Sequence, residues 1–128
     1  MSDAEPVRIR LAAADDLDGL VRLEEAFPEE DRFPRRTWRR LLGGHTVAHV
    51  AVSGGTLVGA AVLLFRTGSR VARLYTLSVA PDLRGKGIAR QLLAAGEVAA
   101  AEKGCDRMRL EARESNQHAI LLYERSGY

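Results

Sequence analysis

The chain has 128 residues, room for one domain (1–128) with a substantial core and not for a second. Hydrophobic residues make up 46% and charged residues 28%, which excludes both a disordered chain and a membrane-embedded one. A net charge of +2 is too small for a nucleic-acid footprint, and the single cysteine, Cys105, excludes an internal disulfide and a Cys-rich metal site. The acidic start lacks a secretory pattern, and the longest nearly apolar run, 57–65, falls far short of the roughly 20 residues of a spanning helix. The expected setting is therefore cytoplasmic, with no membrane and no nucleic-acid partner.

Val7–Leu11 alternates Val/Arg/Ile/Arg/Leu and predicts a half-buried strand. Asp15-Asp16-Leu17-Asp18 opens a helix that Asp15 can cap; Leu17, Leu20, Val21, Leu23 and Phe27 form its apolar stripe, and Pro28 closes it. A shorter helix is expected over 34–42, ended by Gly43-Gly44, with Trp38 anchoring it to a sheet. Across the end of the first helix and much of the second, 24–40 concentrates acids and then arginines, a pattern that usually marks a solvated face and otherwise draws a cationic amine or basic peptide. Runs 46–52 and 57–66 flank Ser53-Gly54-Gly55 and predict an antiparallel hairpin. A turn at Thr67-Gly68-Ser69 leads to a strand over Val71–Val79. A polar loop after Pro81, a long helix ending at Lys103-Gly104, a strand over 107–112 and a helix over 116–125 follow. The order β-α-α-β-β-β-α-β-α predicts an α/β fold with a mixed, mostly antiparallel sheet, because the late β-α-β unit demands a parallel pair.

The densest chemical signal runs from Leu77 to Arg90, LSVAPDLRGKGIAR: a strand ends, a basic, glycine-bearing loop follows, and a helix begins. Backbone amides at a helix N-terminus form an anion seat. Gly85 and Gly87 let the backbone approach a phosphate, and Arg84, Lys86 and Arg90 add charge around it. Glycines kept only for the shape of a βα turn fit equally well. The dinucleotide fingerprint fails because its third glycine position is Arg90, and the P-loop fails because Gly87 rather than Ser or Thr follows Lys86. The three histidines, His45, His49 and His118, are scattered and lack the pattern of a zinc motif, so each is expected to be solvated or locally bonded and no metal is called for. Cys105 fits a small buried residue entering a strand.

What remains, Arg84-x-x-Gly87-x-Ala89 after a strand, resembles the acyl-CoA loop of the GCN5-related N-acetyltransferase (GNAT) family. Leu110-Glu111-Ala112-Arg113-x-x-Asn116-x-x-Ala119-Ile120-x-Leu122-Tyr123-Glu124-x-x-Gly127-Tyr128 resembles the second half of its signature, nearest the branch that acetylates the N-terminal alanine of a ribosomal protein. The resemblance implies acetyl-CoA as cosubstrate and a β-α-β acyl-CoA-binding crossover. Backbone groups of Leu77, Ser78 and Val79 would hold the pantetheine arm, and residues Arg84, Gly85, Lys86, Gly87, Ile88, Ala89 and Arg90 the pyrophosphate. Asn116 would bond the arm, Glu111 would serve as base and Tyr123 as acid. It also implies that 24–40 helps to wall the acceptor side, the acceptor being a peptide N-terminus or a small amine. Asn116 and Tyr123, seven apart, share a helix face, which agrees with those roles. Glu111 between Arg109 and Arg113 fits a cross-face ion pair as well, and Tyr123 a core aromatic. A non-catalytic acyl-CoA-binding module is the alternative, which a paired base and acid argue against. The family continues past the position of Tyr128 into two further strands, so the sequence also predicts an open edge beside 107–112 and a homodimer formed through it.

Overall fold

The structure, a computed structural model, describes residues 6–110. Gly54 and Gly55 carry φ of +57° and +78°, so the chain reverses in two residues. Strands β2 (Thr46–Ser53) and β3 (Thr56–Leu64) therefore pair antiparallel, with Ser53 opposite Thr56. Strand β4 (Val71–Val79) pairs antiparallel with β3, and β1 (Val7–Leu11) antiparallel with β2. Helix α3 (Ile88–Glu102) crosses over to β5 (Arg107–Leu110), which lies parallel to β4 from Val71 opposite Arg107 to Leu74 opposite Leu110. The order β1-β2-β3-β4-β5, with one parallel pair at its end, is the mixed sheet expected from the sequence. The helix expected over 116–125, the end of the strand over 107–112 and the open edge beside it lie outside the described residues.

Each face of the sheet buries its own core. On one face Ile88, Leu92, Leu93 and Ala100 of α3 pack on Ala51, Leu63, Ala72, Leu74, Leu77 and Val79. On the other, Leu20 and Leu23 of α1 (Leu17–Glu24) join Trp38 and Leu41 of α2 (Arg35–Gly43) over Val50, Ala60 and Val62. Trp38 is fully buried and anchors α2, as its sequence position suggested.

Three local expectations are corrected. Asp15 caps nothing: α1 is preceded by a 3₁₀ turn, Ala14–Asp16, and Asp16 reaches back to accept from the Ala13 N–H at 2.7 Å. The Asp16 carboxylate also takes both Nη groups of Arg10, at 2.8 and 2.9 Å, which fixes β1 to the start of α1. Helix α1 ends at Glu24 rather than running to Phe27. Its last N–H groups tighten onto carbonyls three residues back, and Arg32 donates to the carbonyls of Glu25 and Phe27 that a longer helix would have used. His49 departs in part from the solvated or locally bonded reading: the residue is half-buried, its Nδ1 is buried with no hydrogen-bond partner among the described residues, and burial holds its pKa below the ordinary value.

Candidate active site

The site is built where β4 gives way to α3. Strand β4 begins with Ala72 and Leu74 facing α3. Thr76 pairs opposite Val62 and Leu74 opposite Leu63, so Tyr75 is an extra residue on β4, a β-bulge. The bulge shifts the alternation by one, and Leu77 and Val79 face α3 instead of Thr76 and Ser78. Tyr75 is turned to the α1/α2 face, where Phe33 stacks on it at 5.6 Å between ring centroids and meets Trp38 edge-on at 5.7 Å. Ser78 lies opposite Ala60, and its Oγ is buried without a hydrogen-bond partner among the described residues. A polar atom left so is costly in a finished core and is often found beside a ligand's place.

After β4, the Ala80 N–H donates to the Val58 carbonyl, Pro81–Leu83 forms a 3₁₀ turn, and Arg84 emerges extended. Gly85 and Gly87 then adopt φ of +80° and +81°. A β-carbon at either would meet no atom within 4 Å, so glycine is required there by backbone torsion and not by space. Gly87 is the N-cap of α3 and has no side chain to cap it, and among the described residues no other side chain does, so its first-turn amides are open to an anion. Ile88 is buried beneath the helix start and fixes it on the sheet, while Lys86 and Arg90 are exposed around it. The open left-handed glycines and the uncapped helix start together fit a pyrophosphate. The structure therefore brings Leu77, Ser78, Val79 and residues 84–90 to one end of the sheet; Glu111, Asn116 and Tyr123 lie outside the described residues.

Sequence reasoning missed the aromatic contacts that Phe33 makes with Trp38 and Tyr75. It also placed Glu24 in a solvated run, whereas Glu24 is buried. Its Oε2 accepts from the Phe33 N–H at 3.0 Å and its Oε1 from the Trp38 indole N–H at 3.2 Å. The signal was present: Glu24 is four residues after Leu20, on the apolar stripe of α1. The rest of the run behaves as expected, with Glu25, Glu29, Glu30, Arg35, Arg36, Arg39 and Arg40 exposed and Arg35 paired to Asp18. Among the described residues no cluster of three metal-ligating side chains occurs, and no helix is long and apolar enough to cross a membrane.

The mixed sheet with its β4-loop-α3 anion seat fits the acyl-CoA-binding crossover that the sequence resemblance implied. The model of the acetyltransferase (GNAT) family matches residues 14–128, and the chain belongs to that family. It is an acetyltransferase, and acetyl-CoA is its cosubstrate. The chain is 34% identical over 131 residues to N-alpha-acetyltransferase RimI of Mycobacterium tuberculosis, a match covering 99% of this chain and 81% of the relative. It is 31% identical over 137 residues to mycothiol acetyltransferase of Propionibacterium freudenreichii, covering 97% of this chain but only 43% of the relative. A solved structure of ribosomal-protein-alanine N-acetyltransferase from Brucella melitensis superposes with a TM-score of 0.81 at 26% identity, covering 96% of this chain and 92% of that one.

Proposed function

We propose that the enzyme acetylates a primary amine by direct attack, and that the amine is a protein N-terminus. The uncapped start of α3 behind Gly85 and Gly87 carries the cosubstrate half of this reading. The likeness to the two N-terminal acetyltransferases above supports the acceptor half. Acetyl-CoA supplies the acetyl group as an activated thioester. The chain's own groups would do the rest. Backbone groups of Leu77, Ser78 and Val79 hold the arm, residues 84–90 hold the pyrophosphate, and Asn116 bonds the arm. Glu111 takes the proton the amine sheds as its nitrogen bonds to the acetyl carbon. Tyr123 gives a proton to the sulfur as the carbon–sulfur bond breaks. Glu111 enters as the base by its match to the family's signature, and the lack of an acid between Val71 and Ala80 adds weight to it without fixing it.

The test is a panel of free peptides, N-terminally blocked peptides and small amines, read by thiol release from acetyl-CoA. Turnover of free peptides alone supports the proposal; turnover of small amines alone overturns the acceptor. Binding of CoA without turnover of any amine would make the chain a binding module. With an acceptor in hand, Tyr123→Phe is expected to lower kcat about 10²- to 10⁴-fold while CoA affinity holds. Full activity in that variant would remove Tyr123 from the acid's role.

A further inference from the structure

The segment joining α1 to α2 is held tightly. Arg32 donates through Nε to the Phe27 carbonyl at 2.9 Å and through Nη2 to the Glu25 carbonyl at 3.1 Å. Glu24 holds the other end through the Phe33 N–H. This segment presents an aromatic ring to each part of the site. Phe33 stacks on Tyr75 at the β4 bulge. Phe27 lies under Arg84 of the phosphate loop, with the guanidinium carbon 5.7 Å from the ring centroid.

The second contact is unusual in what it leaves available. Among the described residues Arg84 makes no ion pair. An arginine held by a carboxylate spends its N–H donors and its charge there. One held on an aromatic ring spends neither, because the ring attracts the cation without accepting its forked hydrogen bonds. Arg84 is thus half-buried beside the ring, and among the described residues its side chain spends no donor elsewhere, which leaves its donors for an anion seated at the start of α3.

We propose that Phe27 is a positioning residue for the cosubstrate: its ring aims the Arg84 guanidinium, and through Arg84 it sets the affinity of the loop for a pyrophosphate-bearing ligand. The α1–α2 segment and the cosubstrate seat are then one energetic unit, so a change on one alters binding at the other. This inference rests on the reading of residues 84–90 as the pyrophosphate seat.

The experiment is a double-mutant cycle on the dissociation constant of CoA itself, measured by calorimetry at one fixed salt concentration. Phe27→Leu is expected to weaken binding about two- to fivefold, the range of a cation–π contact at a partly exposed site. Arg84→Ala is expected to weaken it by about tenfold, as loss of a charge-assisted phosphate bond does. The double variant should bind no more weakly than Arg84→Ala alone, and Phe27→Tyr should restore wild-type affinity. Additive losses, or wild-type affinity in Phe27→Leu while Arg84→Ala is impaired, overturn the proposal and leave the seat intact. Wild-type affinity in Arg84→Ala refutes Arg84's place in the seat, and the proposal falls with it. Emission from Trp38, the sole tryptophan, verifies that each variant is folded; if Phe27→Leu is not, Phe27→Met takes its place in the cycle.

Discussion

Gly87→Ala isolates what the torsion of the proposed pyrophosphate loop is worth. The backbone at Gly87 has φ of +81°, and an added β-carbon would touch nothing within 4 Å. Sterics against neighbours are therefore removed from the comparison, and what remains is the intrinsic penalty of an L-residue in the left-handed region, about 1–2 kcal/mol. The variant has two ways to meet that penalty. It can keep the conformation and lose about that much stability, or relax the loop and turn the amides from the anion. In the second case the ligand must restore the conformation, and the dissociation constant for CoA rises by about tenfold for each 1.4 kcal/mol. The losses in the two observables, converted to energy, should sum to about 1–2 kcal/mol. Chemical denaturation and calorimetry on the same preparation measure both. Gly87→Asn should lose less than Gly87→Ala, because asparagine visits the left-handed region more readily. A Gly87→Ala variant with wild-type stability and wild-type CoA affinity, or an Asn variant worse than Ala, would refute the torsional argument.

Gly96 offers the opposite result within the same helix. It is buried in the interior of α3, and a β-carbon there would sit 3.6 Å from Leu63 Cδ1, an ordinary contact. Gly96→Ala should raise stability by about 0.5–1 kcal/mol in a thermal or chemical melt, and a loss would mean that the helix cannot accept the added methyl group. Asp16 predicts an acid limb in stability. Its pKa is lowered, first by hydrogen bonding from Arg10, so its stabilisation is fully present above the ordinary carboxylate value of about 3.9 and is lost as pH falls through the lower folded value. Because Arg10 is about half exposed, the contribution is set at about 1 kcal/mol, and Asp16→Asn should remove it at neutral pH and flatten that limb. Equal acid sensitivity in wild type and variant would refute the assignment.

Local chemistry was the legible part. Adjacent glycines at 54 and 55 fixed the β2–β3 turn, and the boundaries of β4 coincide with the expected Val71–Val79. The start of α3 behind Gly85 and Gly87 was likewise readable, since one short stretch carries both the torsion and the helix signal. The bulge at Tyr75 left a trace that period-two reading passes over: apolar positions run 72 and 74, then 77 and 79, a slip of one residue inside a single strand. Glu24 was hidden by its neighbours, because a charge run is scored by composition while burial follows the position on α1. The Phe27–Arg84 contact joins residues 57 apart, and no spacing rule reaches that far.

The strand order also has a consequence for how the chain acquires its shape. Strands β1 to β4 are neighbours in space in the order they occur in sequence once α1 and α2 are set aside, and the β2–β3–β4 meander needs only short closures. The β4–β5 pair must wait for a crossover through α3. Contacts that close long loops form late, because their entropy is met before they give anything back. The pyrophosphate seat proposed for residues 84–90 lies at the head of that crossover, so it would be assembled on a meander that can precede it. A ligand that binds only that finished seat would stabilise the last-formed portion of the fold by mass action.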